Sequence, residues 1–318
     1  MAASFWIGAS KDEYHADPAL SQSSLKVFMK DPQHFYRCYV ARTEPRKEPT
    51  PAMEFGTRVE DLAFRNRMNA HIIPVTALHP NGNKMNAAGR TNWTDYVAQM
   101  RADHGPDVQL LKAEEFDKPF GPGAVMQAVE NLRGHEMANR LIWGDSIKNV
   151  RIRWRCKYTG LDCRCEIDLL HAMSIIGDLK TCFDVGMEGF HRAVLQQGYY
   201  IQSFMYREAL QAVAEHLDEQ PDSDVLRFCR PMLERIRDGE NILCCWIGVK
   251  NKPSYHAEVH PCSDEWYTIA EPVVRAKMFE LKQCYDTGRW QTLTHGNMTT
   301  LKPKKFAYNL LEELSTDE

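Results

Sequence analysis

The stretch Glu166-Ile167-Asp168-Leu169-Leu170 is followed, ten residues after Asp168, by Asp178-Leu179-Lys180-Thr181. Asp168 lies near the end of an apolar, strand-like run from Cys163 to Met173. Asp178 and Lys180 lie in a second run from Ile175 to Cys182. Side chains alternate along a strand, so Asp178 and Lys180 share one face, and Arg164, Glu166 and Asp168 share one face of their own strand. A hairpin through Ala172 to Ser174 brings two carboxylates and one amine together. Such a group can hold a hard divalent cation on oxygen ligands and set a lysine beside the water that the cation activates. That is the chemistry of phosphodiester hydrolysis. Asp-x-Lys alone is common, and two edge strands with solvated charges would also carry it. The upstream Asp, the apolar flanks and the helix downstream favour a site.

Working upstream, Ile147 to Tyr158 alternates, with Val150, Ile152, Trp154 and Cys156 set against Arg151, Arg153, Arg155 and Lys157. This predicts a half-buried strand, turned by Thr159-Gly160 into the Asp168 strand. Like charges on one strand face repel unless something anionic lies near. DNA phosphate, the acidic cluster and plain solvation all fit. Downstream, a long helix is expected from about Met187 to His216, with Tyr199, Gln202 and Tyr206 on one face. That face either buttresses the Asp and Lys strands, binds phosphate, or is an aromatic core stripe with one satisfied Gln.

Further from the centre, Ser21-Gln22-Ser23-Ser24 precedes an apolar-periodic run, a helix N-cap signal that also suits a phosphate. Asp31-Pro32 ends that helix, and Phe35-Tyr36-Arg37 reads as a short helical turn. Ala52 to Arg67 is helical, with Phe55, Val59, Leu62 and Ala63 in period and Gly56 allowing close packing. Of Glu60 and Asp61, one is a candidate metal ligand, although periodicity alone makes both solvated. Residues 74 to 93 read as loop, where Lys84 and Arg90 are candidate DNA contacts. Helices are expected at Trp93 to Met100, Ala113 to Leu132 (broken at Pro119 to Pro122), Val225 to Ile236 and Glu265 to Thr287. Strands are expected at Ile242 to Val249 and Tyr255 to Val259, before a tail with Lys302, Lys304 and Lys305.

The chain has 318 residues, 43% hydrophobic and 26% charged, which supports a sizeable core and argues against disorder. Its formal charge of −4 counts modestly against nucleic-acid binding but leaves room for a local basic channel. No run of about 18 apolar residues predicts a membrane span. Met1 to Gly8 lacks a basic secretory n-region, so a cytoplasmic protein with reduced thiols is expected. His256-x3-His260-Pro-Cys262 has metal-like spacing without a second Cys pair. Walker A, Gly-x-Ser-x-Gly and dinucleotide fingerprints are lacking, which disfavours an ATP-driven motor or a Ser hydrolase.

Taken in order, these segments resemble the PD-(D/E)XK nuclease superfamily, and more closely the RecE-type exonucleases (exonuclease VIII), relatives of phage lambda exonuclease. The resemblance runs from about Tyr14 to Trp290. Its landmarks are Leu20-Ser21-Gln22-Ser23-Ser24-Leu25-Lys26, Phe55-Gly56-Thr57-Arg58-Val59-Glu60, Gly160 to Asp168, Gly177 to Thr181, and Gly198 to Tyr206. It implies an α/β (α+β) restriction-endonuclease-like core, a central mixed β-sheet flanked by helices. It also implies one nuclease domain over 1–318: a mainly helical N-terminal segment (1–145), catalytic sheet and helices (146–290), and a tail (291–318). By the resemblance, Asp168, Asp178 and Lys180 are catalytic. Asp168, Asp178, Glu60 and the Leu179 carbonyl ligate Mg2+ or Mn2+, two per site. Ser23 meets a terminal phosphate, and Gln202 and Tyr206 support the site or the DNA. Glu60 stands where the family often has His, Glu166 where a basic residue is usual, and Cys165 where Gly is usual. The superfamily's iron–sulfur branch carries a Cys just before the Pro of the opening helix; here that residue is Asp31, which argues against a cluster. The activity implied is ATP-independent 5′ to 3′ resection of linear duplex for recombination by strand annealing, in a bacterial or phage setting. The partners implied are DNA ends, an annealing protein and a ring of three or four copies. A structure-specific or restriction-like endonuclease, or a catalytically weak DNA-binding scaffold, would use the same fold.

Overall fold

The computed structural model describes residues 3–7, 10–45, 48–68, 70–74, 90–106 and 108–290. Along the chain these form β1 (Ala3–Phe5), α1 (Lys11–Ala16), α2 (Gln22–Lys30), α3 (Pro32–Phe35), a wider π-helical turn (Tyr36–Val40), α4 (Pro51–Arg65), β2 (Ala70–Ile72), α5 (Arg90–His104), β3 (Gln109–Leu111) and α6 (Ala113–Phe116). There follow α7 (Pro122–Gly134), α8 (Glu136–Trp143), β4 (Ser146–Arg155), β5 (Asp162–His171), β6 (Ile175–Cys182), α9 (Met187–Gln197), α10 (Tyr199–Glu215), α11 (Asp224–Arg237), β7 (Leu243–Lys250), β8 (Ala257–Pro261) and α12 (Asp264–Thr287). Lys84 and the tail lysines Lys302, Lys304 and Lys305 lie outside the described residues, as does the side chain of Arg90.

A six-stranded mixed sheet in the order β1-β4-β5-β6-β7-β8 divides the molecule. Only β6 and β7 run parallel within it, and α9, α10 and α11 make the crossover that parallel neighbours need. The alternation read from sequence sorts side chains to two cores. Ile176, Cys244 and Trp246 face one that contains α2, α10, α11 and α12 residues. Ile175, Cys245, Ile247 and Val249 face the other, built with α4, α7 and α8. Among the described residues no helix is long and apolar enough to cross a membrane.

Several sequence boundaries shift, each for a local reason. The helix expected from Met187 to His216 is two helices, because Gly198 takes a left-handed conformation (φ 65°) that caps α9 and restarts the chain as α10. The segment 74 to 93, read as loop, already contains the start of α5 at Arg90. The second C-terminal strand sits two residues later than expected, at Ala257, because Ser254 and Tyr255 turn with positive φ. Alternation does not run unbroken through Asp168 either. Ile167 and Leu170 both enter the first core and Leu169 the second. Across the ladder Asn149 has φ 53°, and Ile147 and Val150 show the same three-residue slip. The shared face of Arg164 and Glu166 is therefore interrupted at Asp168.

Candidate active site

The β5–β6 hairpin turns at Ala172 to Ser174 and pairs His171 with Ile175, Leu170 with Ile176 and Leu169 with Gly177. Gly177 is required there, since a Cβ would lie 2.6 Å from Leu169 Cδ1. The next residues in that register are Asp168 and Asp178, and there the ladder stops. In its place the Asp168 carboxylate crosses the gap and accepts the Leu179 N–H at 2.8 Å. Asp178 is 1% exposed. Its Oδ1 accepts from Gln202 Nε2 at 2.9 Å and lies 3.4 Å from the Tyr206 hydroxyl. That hydroxyl accepts from Gln202 and donates to the Glu166 carbonyl at 2.7 Å. Lys180 Nζ lies 2.6 Å from Asp178 Oδ2 and 5.2 Å from the centre of the Tyr199 ring. The residues at helical spacing on α10 thus hold both strands of the hairpin.

The other layer contributes through α4. Gly56 lets that helix press on β6: a Cβ there would meet Thr181 Oγ1 at 2.8 Å. One turn on, Glu60 accepts from Asn149 Nδ2 at 3.0 Å, and Asn149 stands opposite Asp168 on β4. Asp61 instead pairs with Arg65 one turn along its own helix, so Glu60 is the carboxylate that α4 presents to the site. Glu60, Asp168 and Asp178 do not bring three oxygens within 4.8 Å of one another. They surround the point where β5 and β6 separate.

The electrostatics favour a cation. Burial, then the charge of Asp178 and that of Glu60, push the Asp168 carboxyl well above its ordinary range, against the opposing pull of Lys180. Burial disfavours the Lys180 ammonium, but Asp178 and Asp168 outweigh it and raise its proton affinity above that of an ordinary lysine. Asp178 Oδ2 is buried and accepts no well-aligned hydrogen bond, despite the nearby ammonium. A buried carboxylate oxygen with only an ammonium beside it, next to a second, half-buried carboxyl, is a donor set suited to a hard divalent ion. Asp168 and Asp178 would hold it, with Glu60 as a further oxygen donor. A second amine, Lys26 of α2, lies near enough for its charge to act against that of Lys180. Burial first, then Lys180, lowers its pKa to about 8. Its Nζ donates to the Gln197 carbonyl at 2.8 Å, and its stem packs where Gly198 has no side chain.

Other residues read from the sequence fall into place around this centre. Ser21 caps α2 in a reciprocal box with Ser24, whereas Ser23 is exposed, 2.9 Å from the Ser21 hydroxyl and one turn before Lys26. Ser23 touches neither carboxylate. Leu179 meets Asp168 through its amide. Glu166 is neutralised by Arg151, its partner in register. β4 ends at Arg155, short of the expected Tyr158, so Lys157 lies in the turn that follows. The basic residues of the strand and this turn are largely paired, Arg153 with Asp17 at 3.3 Å and Lys157 with Glu215 at 3.2 Å. Among the described residues only Arg155 of the four pairs with no acid. His256 pairs with Glu258, and His260 stacks on Phe190 and bonds the Val185 carbonyl, so these two histidines do not converge. None of the ten cysteines is in a disulfide. Sequence reasoning assigned no role to Lys26 or Asn149. Lys26 sat in view as the last residue of the serine-rich landmark, but nothing along the chain links Asn149 to Glu60.

Residues 21–219 match the model of a family described as a PDDEXK-like domain of unknown function (DUF3799). A solved structure, that of a candidate exonuclease from Eubacterium rectale, aligns over 96% of this chain and 98% of that one, with a TM-score of 0.54 and 14% identity. At that identity the likeness is one of fold. No curated protein matches.

Proposed function

The chain belongs to the family of PDDEXK-like domains, and on that premise we propose that it is a metal-dependent, ATP-independent exonuclease acting on linear double-stranded DNA. The observation that carries this reading is half-buried Asp168 beside buried Asp178, with Lys180 2.6 Å from Asp178 and the pair held from α10 by Gln202 and Tyr206. Mg2+ or Mn2+, taken as two ions, supplies charge neutralisation and a more acidic water when bound. Gln202, Tyr206 and the Leu179 amide keep the two carboxylates pointed inward. Lys180 stabilises the negative charge that develops on the phosphate and orients the attacking water. Lys26 and Ser23, one turn apart on α2, approach the phosphate of a chain end. Polarity is taken as 5′ to 3′, leaving single strands for an annealing protein, with a ring of three or four copies encircling the duplex.

The test uses 5′-phosphorylated linear duplex and covalently closed circular DNA, with Mg2+ and no ATP. The expected outcome is loss of the linear form only, abolished in Lys180→Ala. Nicking or cutting of the circle would replace the reading by an endonuclease. Binding without cleavage across Mg2+ and Mn2+ would replace it by a scaffold.

A further inference from the structure

Away from the carboxylate site, the chain folds back on itself after α3 and gathers a second, chemically different donor set. Asp31 caps α3 through the amides of Gln33 and His34. The helix then widens into the π-helical turn, closed by the Ala41 amide on the Tyr36 carbonyl. The chain returns over this turn, with the amides of Thr43 and Glu44 both donating to the Arg37 carbonyl. His34 and Cys38, four residues apart, thereby meet Glu44 from the returning loop. His34 Nδ1 lies 3.1 Å from Glu44 Oε2. Cys38 Sγ lies 3.7 and 3.6 Å from the two ring nitrogens, and 3.6 Å from the Pro45 carbonyl oxygen. Cys38 is buried, while His34 and Glu44 are partly open to solvent.

These spacings match the edges of a coordination tetrahedron. With zinc bonds of about 2.0 Å to nitrogen or oxygen and about 2.3 Å to sulfur, the N–S and O–S edges are about 3.6 Å and the N–O edge about 3.3 Å. The donors differ in kind from those at the catalytic carboxylates. A thiolate and an imidazole suit zinc, whereas oxygens alone suit magnesium or manganese. Charge also balances, because one thiolate and one carboxylate neutralise a divalent ion. Arg37 Nε, 2.6 Å from Glu44 Oε1, steadies the oxygen that faces away. None of these residues is among the charges that act on Asp168 or Lys180.

We propose that His34, Cys38 and Glu44, with the Pro45 carbonyl, form a structural zinc site that ties the π-helical turn to the chain entering α4. Binding converts the Cys38 thiol to a thiolate and releases its proton; no redox step is involved. Its consequence is to fix the lead-in to the helix that carries Gly56 and Glu60.

The full-length protein, purified without chelator, should carry one equivalent of zinc by elemental mass spectrometry. After chelation, Co2+ should give a thiolate-to-cobalt charge-transfer band that saturates at one equivalent and is displaced by Zn2+. Cys38→Ser should lose the band. Glu44→Gln, at a half-exposed position, should weaken Co2+ binding by at least about tenfold and carries the test if Cys38→Ser does not fold. Asp178→Asn should keep the band, which separates this site from the nuclease reading. A folded protein without the band, or a band that survives Cys38→Ser in one of the nine other cysteines, would overturn the proposal.

Discussion

Asp178 concentrates the chemistry of the site in one side chain. It is buried, held on one oxygen by Gln202 and set against Lys180 on the other. Asp178→Asn keeps the volume and removes the charge, so cleavage should fall by on the order of a hundredfold or more. Single-turnover assays would measure this, with circular dichroism showing an intact fold. Gln202→Leu removes the donor from a buried carboxylate and should cost about 1–3 kcal/mol in stability, read by urea unfolding in EDTA. Lys26 makes a pH prediction. Its ammonium, with a pKa lowered to about 8, is charged below that pH and neutral above it. DNA-end affinity should therefore weaken as pH rises through about 8, measured by fluorescence anisotropy with Ca2+ in place of Mg2+. Lys26→Arg, charged at every working pH, should flatten that profile. An unchanged profile would remove Lys26 from the phosphate contact.

At the scale of elements, two glycines set how helices meet the sheet. Gly198 divides α9 from α10 with φ 65° and leaves room for the Lys26 stem. Gly198→Ala forces a side chain into the left-handed region and should destabilise by about 1–3 kcal/mol. It should also weaken DNA binding through the displaced Lys26. Gly56 seats α4 on Thr181. A double-mutant cycle of Gly56→Ala with Thr181→Ala, followed by thermal unfolding, should show coupling of about 0.5–3 kcal/mol, since the second change vacates the space the first needs. The resemblance to nucleases already marked both glycines in the sequence. The break in the helix at Gly198 was not legible there, because a glycine inside an apolar-periodic run is compatible with continuous helix.

On the scale of the whole molecule, a chain of formal charge −4 uses internally most of the cations that alternate along β4 and into the turn after it. Arg151, Arg153 and Lys157 each have an acidic partner on a neighbouring strand, loop or helix. DNA affinity should therefore depend on few phosphate contacts per copy. The plot of log affinity against log salt should be shallow for a single copy and steeper if copies encircle the duplex. Analytical ultracentrifugation alongside that titration would link slope to assembly. Arg153→Gln and Lys157→Gln should leave affinity within about twofold, since exposed, already paired cations contribute little.

The sequence by itself determined the strand pair that carries Asp168, Asp178 and Lys180, the hairpin at Ala172 to Ser174, and the α10 face of Tyr199, Gln202 and Tyr206. Period-2 and period-3.6 patterns are local, and those residues lie close enough along the chain to obey them. Only the tertiary structure decided that Glu60 rather than Asp61 faces the site, since the two are neighbours on one helical turn and are both partly buried. Asp61 is taken up by Arg65 on its own helix, whereas Glu60 is met by Asn149, 89 residues away in the chain. It likewise decided that the Arg151 charge is met by Glu166, and that His34, Cys38 and Glu44 converge while His256 and His260 do not. Spacing limits which side chains can meet. Which of them do meet is set by where packing returns the chain.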